Sequence, residues 1–228
     1  MRRSLSGCFE ENWEEFEDFV KSTRRFRFLM NHVLERRLTI MSTAEQFDFI
    51  SVEEYLRLEE GSDTRHEYIG GVVYAMSGGR NVHNLVATNL SASLWNKLRG
   101  GPCRVYNSDT KIRIRQPVHT RFYYPDVSVI CRPNPPRDHF QDQPSLVVEV
   151  LSTSTRRTDS GEKCEAYLSI PSLDFYLMVE PEEPVAILYR RKENGFEREV
   201  VRGVGSVLSL AALDVELPMS EVYEGVDL

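Results

Sequence analysis

Glu149 stands inside Leu146-Val147-Val148-Glu149-Val150-Leu151, a run that otherwise reads as core strand. An ionised carboxylate taken out of water is costly unless a metal, a cationic side chain or a proton compensates it. Asp126 follows Pro125 at the start of a second apolar strand, Val127-Ser128-Val129-Ile130. If the two strands are neighbours, two carboxylates meet at one sheet edge. Like charges that close repel unless a cation sits between them. Oxygen donors of this kind suit Mg2+ or Mn2+. Salt bridges to the nearby arginines would satisfy the same two residues, and by themselves the residues leave both readings open.

Lys163 falls on the first turn of the helix expected after the Glu149 strand, with Tyr167 one turn further along the same side. The short Ser/Thr/Arg loop from Ser152 to Thr158 would let Lys163 lean back over the strand end. By spacing alone, a solvated helix lysine is the commoner outcome. Glu67 lies between His66 and Tyr68 at a strand start, and His83 at the N-terminal end of a long helix. A histidine there is more often a packing residue than a ligand. Other chemistries lack their motifs. No GxxxxGK[ST] or GxGxxG follows a strand, no GxSxG surrounds Ser152 or Ser154, and there is no HExxH.

The elements that must hold these residues can be read from periodicity. Ser51-Val52-Glu53-Glu54 is a capping box opening a helix to about Glu59. His66 to Met76 reads as two strands about the Gly70-Gly71 turn. Val82, Leu85, Val86, Leu90, Leu94 and Leu98 recur at helical spacing, which predicts a helix over 81–98 ended by Gly100-Gly101-Pro102. Lys111 to Arg115 alternates as a strand. The run 145–151 is nearly all apolar and should be buried on both faces. Asp159 should cap a helix reaching about Leu168, with Glu162 at its third position. Phe175–Val179 and Val185–Tyr189 are strands, and Glu193-Asn194-Gly195 turns the chain into Phe196–Val201. The pattern is an α/β or α+β core, a mixed sheet flanked by two main helices.

The 228 residues carry a net charge of −7, which argues against a simple basic nucleic-acid binder. The charge is uneven. Between Arg80 and Arg137, ten Lys/Arg stand against two acids, Asp109 and Asp126; from Thr158 onward, six stand against fifteen. No apolar run approaches the roughly 20 residues of a membrane helix, and no apolar stretch follows Arg2-Arg3 as in a secretory signal. Cys8, Cys103, Cys131 and Cys164 are widely spaced without a CxxC pair, so reduced thiols in a cytoplasmic protein are the expectation. Residues 1–40 hold eight basic and seven acidic residues and no motif. Met41-Ser-Thr-Ala reads like a protein start, so 1–40 is expected to be an extension of helical character or a start-site artefact, and 41–228 the functional domain.

From about Phe49 to Val222 the chain resembles the Uma-type family of restriction-endonuclease-like proteins in the PD-(D/E)XK nuclease superfamily. The matching words are His66-Glu67-Tyr68-Ile69-Gly70-Gly71, His83 opening the long helix, Tyr124-Pro125-Asp126-Val127-Ser128-Val129 and Val148-Glu149-Val150-Leu151-Ser152. Asp159, Lys163, Tyr167 and Asp174–Val179 follow in order. The resemblance implies a restriction-endonuclease-like mixed β-sheet core flanked by helices, with extra β-hairpins, and a metal-dependent phosphodiesterase acting on DNA. It makes Pro125-Asp126 the PD element and Glu149 the second acid. The superfamily pattern wants a lysine two residues later, where this chain has Leu151. Family members resembling this one carry the lysine on the next helix, where Lys163 stands. Asp126, Glu149 and the Val150 carbonyl would then hold Mg2+ (or Mn2+), Glu67 would help or complete a second site, and His83 would neighbour the site. Arg113, Arg115, Arg121, Arg156 and Arg157 could track the phosphate backbone. A catalytically weak fold serving as an interaction module is the competing implication, and a homodimer is expected because cutting a duplex on both strands often uses two subunits.

Overall fold

The strand carrying Glu149 lies deep in a six-stranded sheet. The computed structural model describes residues 49–76, 78–152, 159 and 161–228, so the expectations for residues 1–40 and for Arg156 and Arg157 lie outside the described residues. Ser51 Oγ accepts the Glu54 N–H (3.1 Å) and opens α1 (Val52–Glu60). Strands β1 (His66–Ile69) and β2 (Val72–Ala75) form a hairpin whose Gly70 and Gly71 adopt φ of 56° and 105°, a region that residues with a Cβ enter only with strain. Helix α2 (Asn81–Leu98) follows, then β3 (Arg104–Asn107), β4 (Lys111–Arg115), β5 (Thr120–Tyr123), β6 (Val127–Ile130), β7 (Phe140–Gln141) and β8 (Pro144–Val150). After α3 (Glu162–Leu168) come β9 (Phe175–Val179), β10 (Val185–Lys192), β11 (Gly195–Arg202), β12 (Val207–Leu210), β13 (Val215–Pro218) and α4 (Met219–Val222).

The larger sheet has the order β11-β10-β9-β8-β6-β3, with β8 and β9 parallel. A parallel pair needs a crossover, and α3 lies on it. The second sheet has the order β2-β1-β5-β4-β7, and β12 pairs with β13 separately. Strand alternation sorts β8 into two faces. Leu146, Val148 and Val150 pack with Val86, Leu90 and Leu94 of α2 and with Leu208 and Leu217. Val147 and Leu151 face the other way, against Ile112 and Ile114 of β4, Tyr123, and Cys164, Ala166 and Tyr167. A smaller cluster of Tyr55, Tyr68 and Phe122 joins α1 to β1 and β5. Glu149 has the parity of Val147 and so shares the face that meets α3 and β4.

Several features depart from the expectations. Leu85 stays 37% exposed at the margin of the α2 stripe. Lys111, which opens the alternating β4 on its polar parity, is buried and donates to the Tyr124 hydroxyl at 3.0 Å. Asp159 does not cap α3, whose N-cap is Gly161 without a side-chain bond. The expectation of reduced thiols fails for one pair, because Cys103 and Cys131 form a disulfide. The pairing of Arg104 with Ile130 between β3 and β6 sets the two flanking cysteines opposite each other, which linear spacing does not reveal. At a sequence separation of 28, chain-entropy arguments give the bridge about 3–4 kcal/mol. Reduction, or a Cys103→Ser/Cys131→Ser double change, is expected to lower unfolding stability by that order in urea titrations. An unchanged midpoint would show that the bridge adds nothing. Among the described residues, no helix is long and apolar enough to cross a membrane.

Candidate active site

Pairing of Val127 with Val148 sets the residue before β6, Asp126, beside the C-terminal end of β8. Its Oδ2 accepts the Val150 N–H at 2.7 Å and lies 3.3 Å from His83 Nε2 on the first turn of α2. One residue back along β8, Glu149 points to the face opposite the Val150 side chain and into a buried cage. Its Oε1 accepts the Tyr167 hydroxyl at 3.1 Å and lies 3.4 Å from Lys163 Nζ. The i,i+4 spacing of Lys163 and Tyr167 puts both on the inner side of α3. The lysine is therefore not a solvated helix residue: it is 5% exposed, beside Glu149 at 4% and Asp159 at 1%.

Two more carboxylates complete the cage. Glu67 has the parity of Ile69, which packs on the Glu149 side of the large sheet. Its Oε1 lies 2.7 Å from Lys163 Nζ, and Asp159 Oδ1 lies 3.5 Å from the same nitrogen. One ammonium thus sits among three acids, 5.3 Å from the centre of the Tyr123 ring. Burial opposes the lysine's charge, yet Glu149, Glu67 and Asp159 together hold its pKa well above the ordinary value. Burial pushes the Glu149 carboxyl well up; Lys163 opposes this, while Asp159, Asp126 and Glu67 add to it. The Tyr167 hydroxyl is driven up by burial and then by the Glu149 charge, so it remains a donor. At the other end of the site, the hydrogen bond from His83 to Asp126 raises the imidazole pKa against its partial burial.

The donor chemistry fits a hard divalent cation: carboxylates from Asp126 and Glu149, with the Val150 carbonyl beside them. Among the described residues, no group of three or more His, Cys, Asp or Glu side chains is already converged to hold a metal ion. The cation within the acid cage is the Lys163 ammonium.

The structure brings Glu67, Glu149 and Lys163 into one cluster and Asp126, His83 and Val150 into an adjoining one. The arginines are placed differently. Arg113 is bound through two nitrogens to Asp142, each at 2.7 Å, and Arg121 pairs with Glu162 at 2.8 Å. Arg115 is exposed at the end of β4. Asp159 is the site residue that sequence reasoning assigned to another task. Its i,i+4 relation to Lys163 is the available signal, but Glu162 three residues on completes a capping pattern that points to an N-cap instead.

Two adjoining strands bearing acids, with a lysine returned from the next helix, define a restriction-endonuclease-like nuclease fold. The crystal structure of a putative nuclease belonging to DUF820 from Anabaena variabilis superposes with a TM-score of 0.62 at 17% identity, covering 76% of this chain and 97% of that one. Residues 52–220 match the family model Uma2, described as putative restriction endonuclease, and the chain belongs to that family. An uncharacterized Synechocystis protein is 37% identical over 187 residues, 81% of this chain and 97% of its own length. A second one from the same organism is 32% identical over 134 residues, 58% of this chain and 75% of its own.

Proposed function

We propose that the protein is a metal-dependent endonuclease hydrolysing DNA phosphodiesters. The observation that carries this reading is the register that brings Asp126, just before β6, to the C-terminal end of β8, where its Oδ2 accepts the Val150 N–H, with Lys163 reaching Glu149 from α3. Asp126, Glu149 and the Val150 carbonyl would hold Mg2+ or Mn2+. Bound there, a divalent cation would supply a water of lowered pKa and positive charge for the scissile phosphate. The Val150 N–H fixes the Asp126 carboxylate, and the Tyr167 hydroxyl fixes Glu149. Lys163, held charged by its acids, supplies a positive group for the phosphate oxygens or the attacking oxygen. Glu67, at 2.7 Å, positions that ammonium rather than standing free for a second ion. Arg115 is the candidate cation for the flanking phosphates.

The test is cleavage of supercoiled plasmid with Mg2+ or Mn2+, wild type against Asp126→Ala, with an RNA substrate in parallel. Metal-dependent nicking by the wild type is expected to fall in the variant by more than the roughly 10–100-fold that changes to residues hydrogen-bonded behind a metal ligand cost. Equal nicking by both proteins would remove Asp126 from the chemistry. A second reading is a module that binds nucleic acid or protein without cutting. Commitment of Arg113 and Arg121 to acids favours it, and it predicts binding by wild type and variant alike with no cleavage by either.

A further inference from the structure

The uneven charge of the sequence resolves into one corner of the fold. Between Arg80 and Arg137, half of the cations are already committed. Arg80, Lys97, Arg113 and Arg121 pair with Glu182, Glu221, Asp142 and Glu162, and Lys111 is buried against Tyr124. Arg99, Arg104 and Arg132 are exposed and form no ion pair among the described residues. They share one place. Arg99 follows the last residue of α2, and Arg104 opens β3. Arg132 follows Cys131, which the disulfide to Cys103 holds beside the same strand end.

The corner also carries a large exposed ring. Trp95, on the last turn of α2, is 53% exposed, with Arg99 Cζ 5.7 Å from the ring centre. Trp95, Arg99 and Arg104 line, with Leu98 and Val105, a cleft of about 240 Å3. An ordinary small-molecule pocket holds about 300–1,000 Å3. This cleft therefore suits one ring of a longer ligand lying across the surface. Arg104 spends Nη1 on the Gly101 and Cys103 carbonyls, at 2.7 and 3.0 Å. Its guanidinium keeps further N–H donors for an anion. Indole and guanidinium planes stack bases, and arginines hold phosphates. Both chemistries converge on an unpaired nucleic-acid strand. A duplex offers the arginines phosphates but keeps its base faces from the indole.

Two elements measure the distance from this corner to Asp126. Helix α2 runs from His83, 3.3 Å from Asp126, to Trp95. That stretch of helix, at about 1.5 Å per residue, is about 18 Å long. Strand β6 runs the same way from Asp126, and extended chain as far as Arg132 covers about 20 Å. At about 3.4 Å per nucleotide, a strand crosses that span in about five or six nucleotides. We propose that this corner docks single-stranded DNA, stacking an unpaired base on Trp95 and holding the adjacent phosphates with Arg99, Arg104 and Arg132. The inference rests on the nucleic-acid reading of the protein, and on neither its metal nor cleavage.

The experiment titrates the full chain, in EDTA and across a range of salt, with an oligodeoxythymidylate strand and with a duplex of the same length. Fluorescence anisotropy of labelled DNA gives the affinity, and unlabelled strand is followed by tryptophan fluorescence. Wild type is expected to bind the strand more tightly than the duplex, with quenching. The sequence holds two tryptophans, Trp13 and Trp95, so a quench lost in Trp95→Leu belongs to Trp95. That variant is expected to bind the strand roughly 5–150-fold more weakly, the worth of one stacked base. Trp95→Phe keeps a ring and should stay close to wild type. Removing Arg99, Arg104 and Arg132 together, each to Ala, is expected to lower the slope of log K against log salt by about 2, and Arg132→Ala alone by about a third of that. Arg202→Ala, on β11 at the opposite edge of the large sheet, is expected to leave the slope unchanged. Strand binding whose affinity and slope survive these changes would overturn the corner and leave the nuclease reading standing. Equal losses for strand and duplex in Trp95→Leu would overturn the stacking of an unpaired base. Failure of the wild type to bind either DNA would overturn the nucleic-acid reading and this inference together, and leave the arginines to an acidic protein.

Discussion

Lys163→Met is expected to cost about 3–5 kcal/mol of folding stability, because it leaves buried acids without their cation. Lys163 is 5% exposed and lies within 3.5 Å of Glu67, Glu149 and Asp159. The methionine fills much of the aliphatic volume, so packing loss is small and the charge effect dominates. Against a typical total of about 5–15 kcal/mol, a loss of this size leaves the variant marginal. Chemical denaturation of the soluble fraction gives the magnitude. A second substitution separates charge from volume. Lys163→Met with Glu149→Gln removes one acid along with the cation, and should recover part of the loss without recovering cleavage. If Lys163→Met alone unfolds within about 1 kcal/mol of the parent, the three acids are not held by this ammonium.

Much of this arrangement could be read from the chain, for reasons that differ by element. Strand β8 declared itself because Glu149 interrupts a run in which every neighbour is apolar. A residue that contradicts its surroundings carries information about a partner. Helix α2 was legible from its stripe, and its 81–98 limits match the structure. Strands β3 and β5 were not legible. Arg104-Val-Tyr-Asn and Thr120-Arg-Phe-Tyr are short, mix charge with apolar residues, and sit among partners that only tertiary pairing supplies. The same holds for β12, β13 and α4, whose apolar residues gain their meaning by packing on α2. The disulfide and the buried Lys111 are likewise consequences of register.

The candidate site divides along the same line. Each acid was visible singly, but the sequence does not say which three oxygens face one nitrogen. Asp126 and Glu149 follow from local pattern, whereas the closure of Glu67 onto Lys163 joins β1 to α3 across nearly a hundred positions. Asp159 shows the opposite failure. Its local pattern, an acid three residues before Glu162, pointed to a cap. A deeply buried ammonium needed the carboxylate more than the helix end did, and tertiary electrostatics overrode the local preference.

Glu149→Gln is expected to keep the fold and lose the activity. Burial raises the Glu149 carboxyl well above its usual value of 4.5. In a pH range above that value, the folded protein then binds more protons at this position than the unfolded chain does. Stability must therefore fall as pH rises from about 4.5 through the folded pKa, and this contribution is fully favourable only below the unfolded value. Glutamine is the uncharged isostere of the protonated acid. Its amide oxygen can accept the Tyr167 hydroxyl now donated to Glu149 Oε1, and Lys163 keeps Glu67 at 2.7 Å and Asp159 at 3.5 Å. The variant should match or exceed the parent's stability near neutral pH and lack the decline that this group produces. Cleavage should drop by at least about 100-fold, since one of the oxygens proposed for the cation becomes a neutral, weaker donor. Denaturation midpoints measured for both proteins across pH 4 to 9, with plasmid cleavage alongside, separate the two consequences. A variant clearly less stable than the parent at neutral pH would mean that Glu149 is ionised in the fold and is needed there as Lys163's counter-charge. Retained cleavage would remove Glu149 from the chemistry.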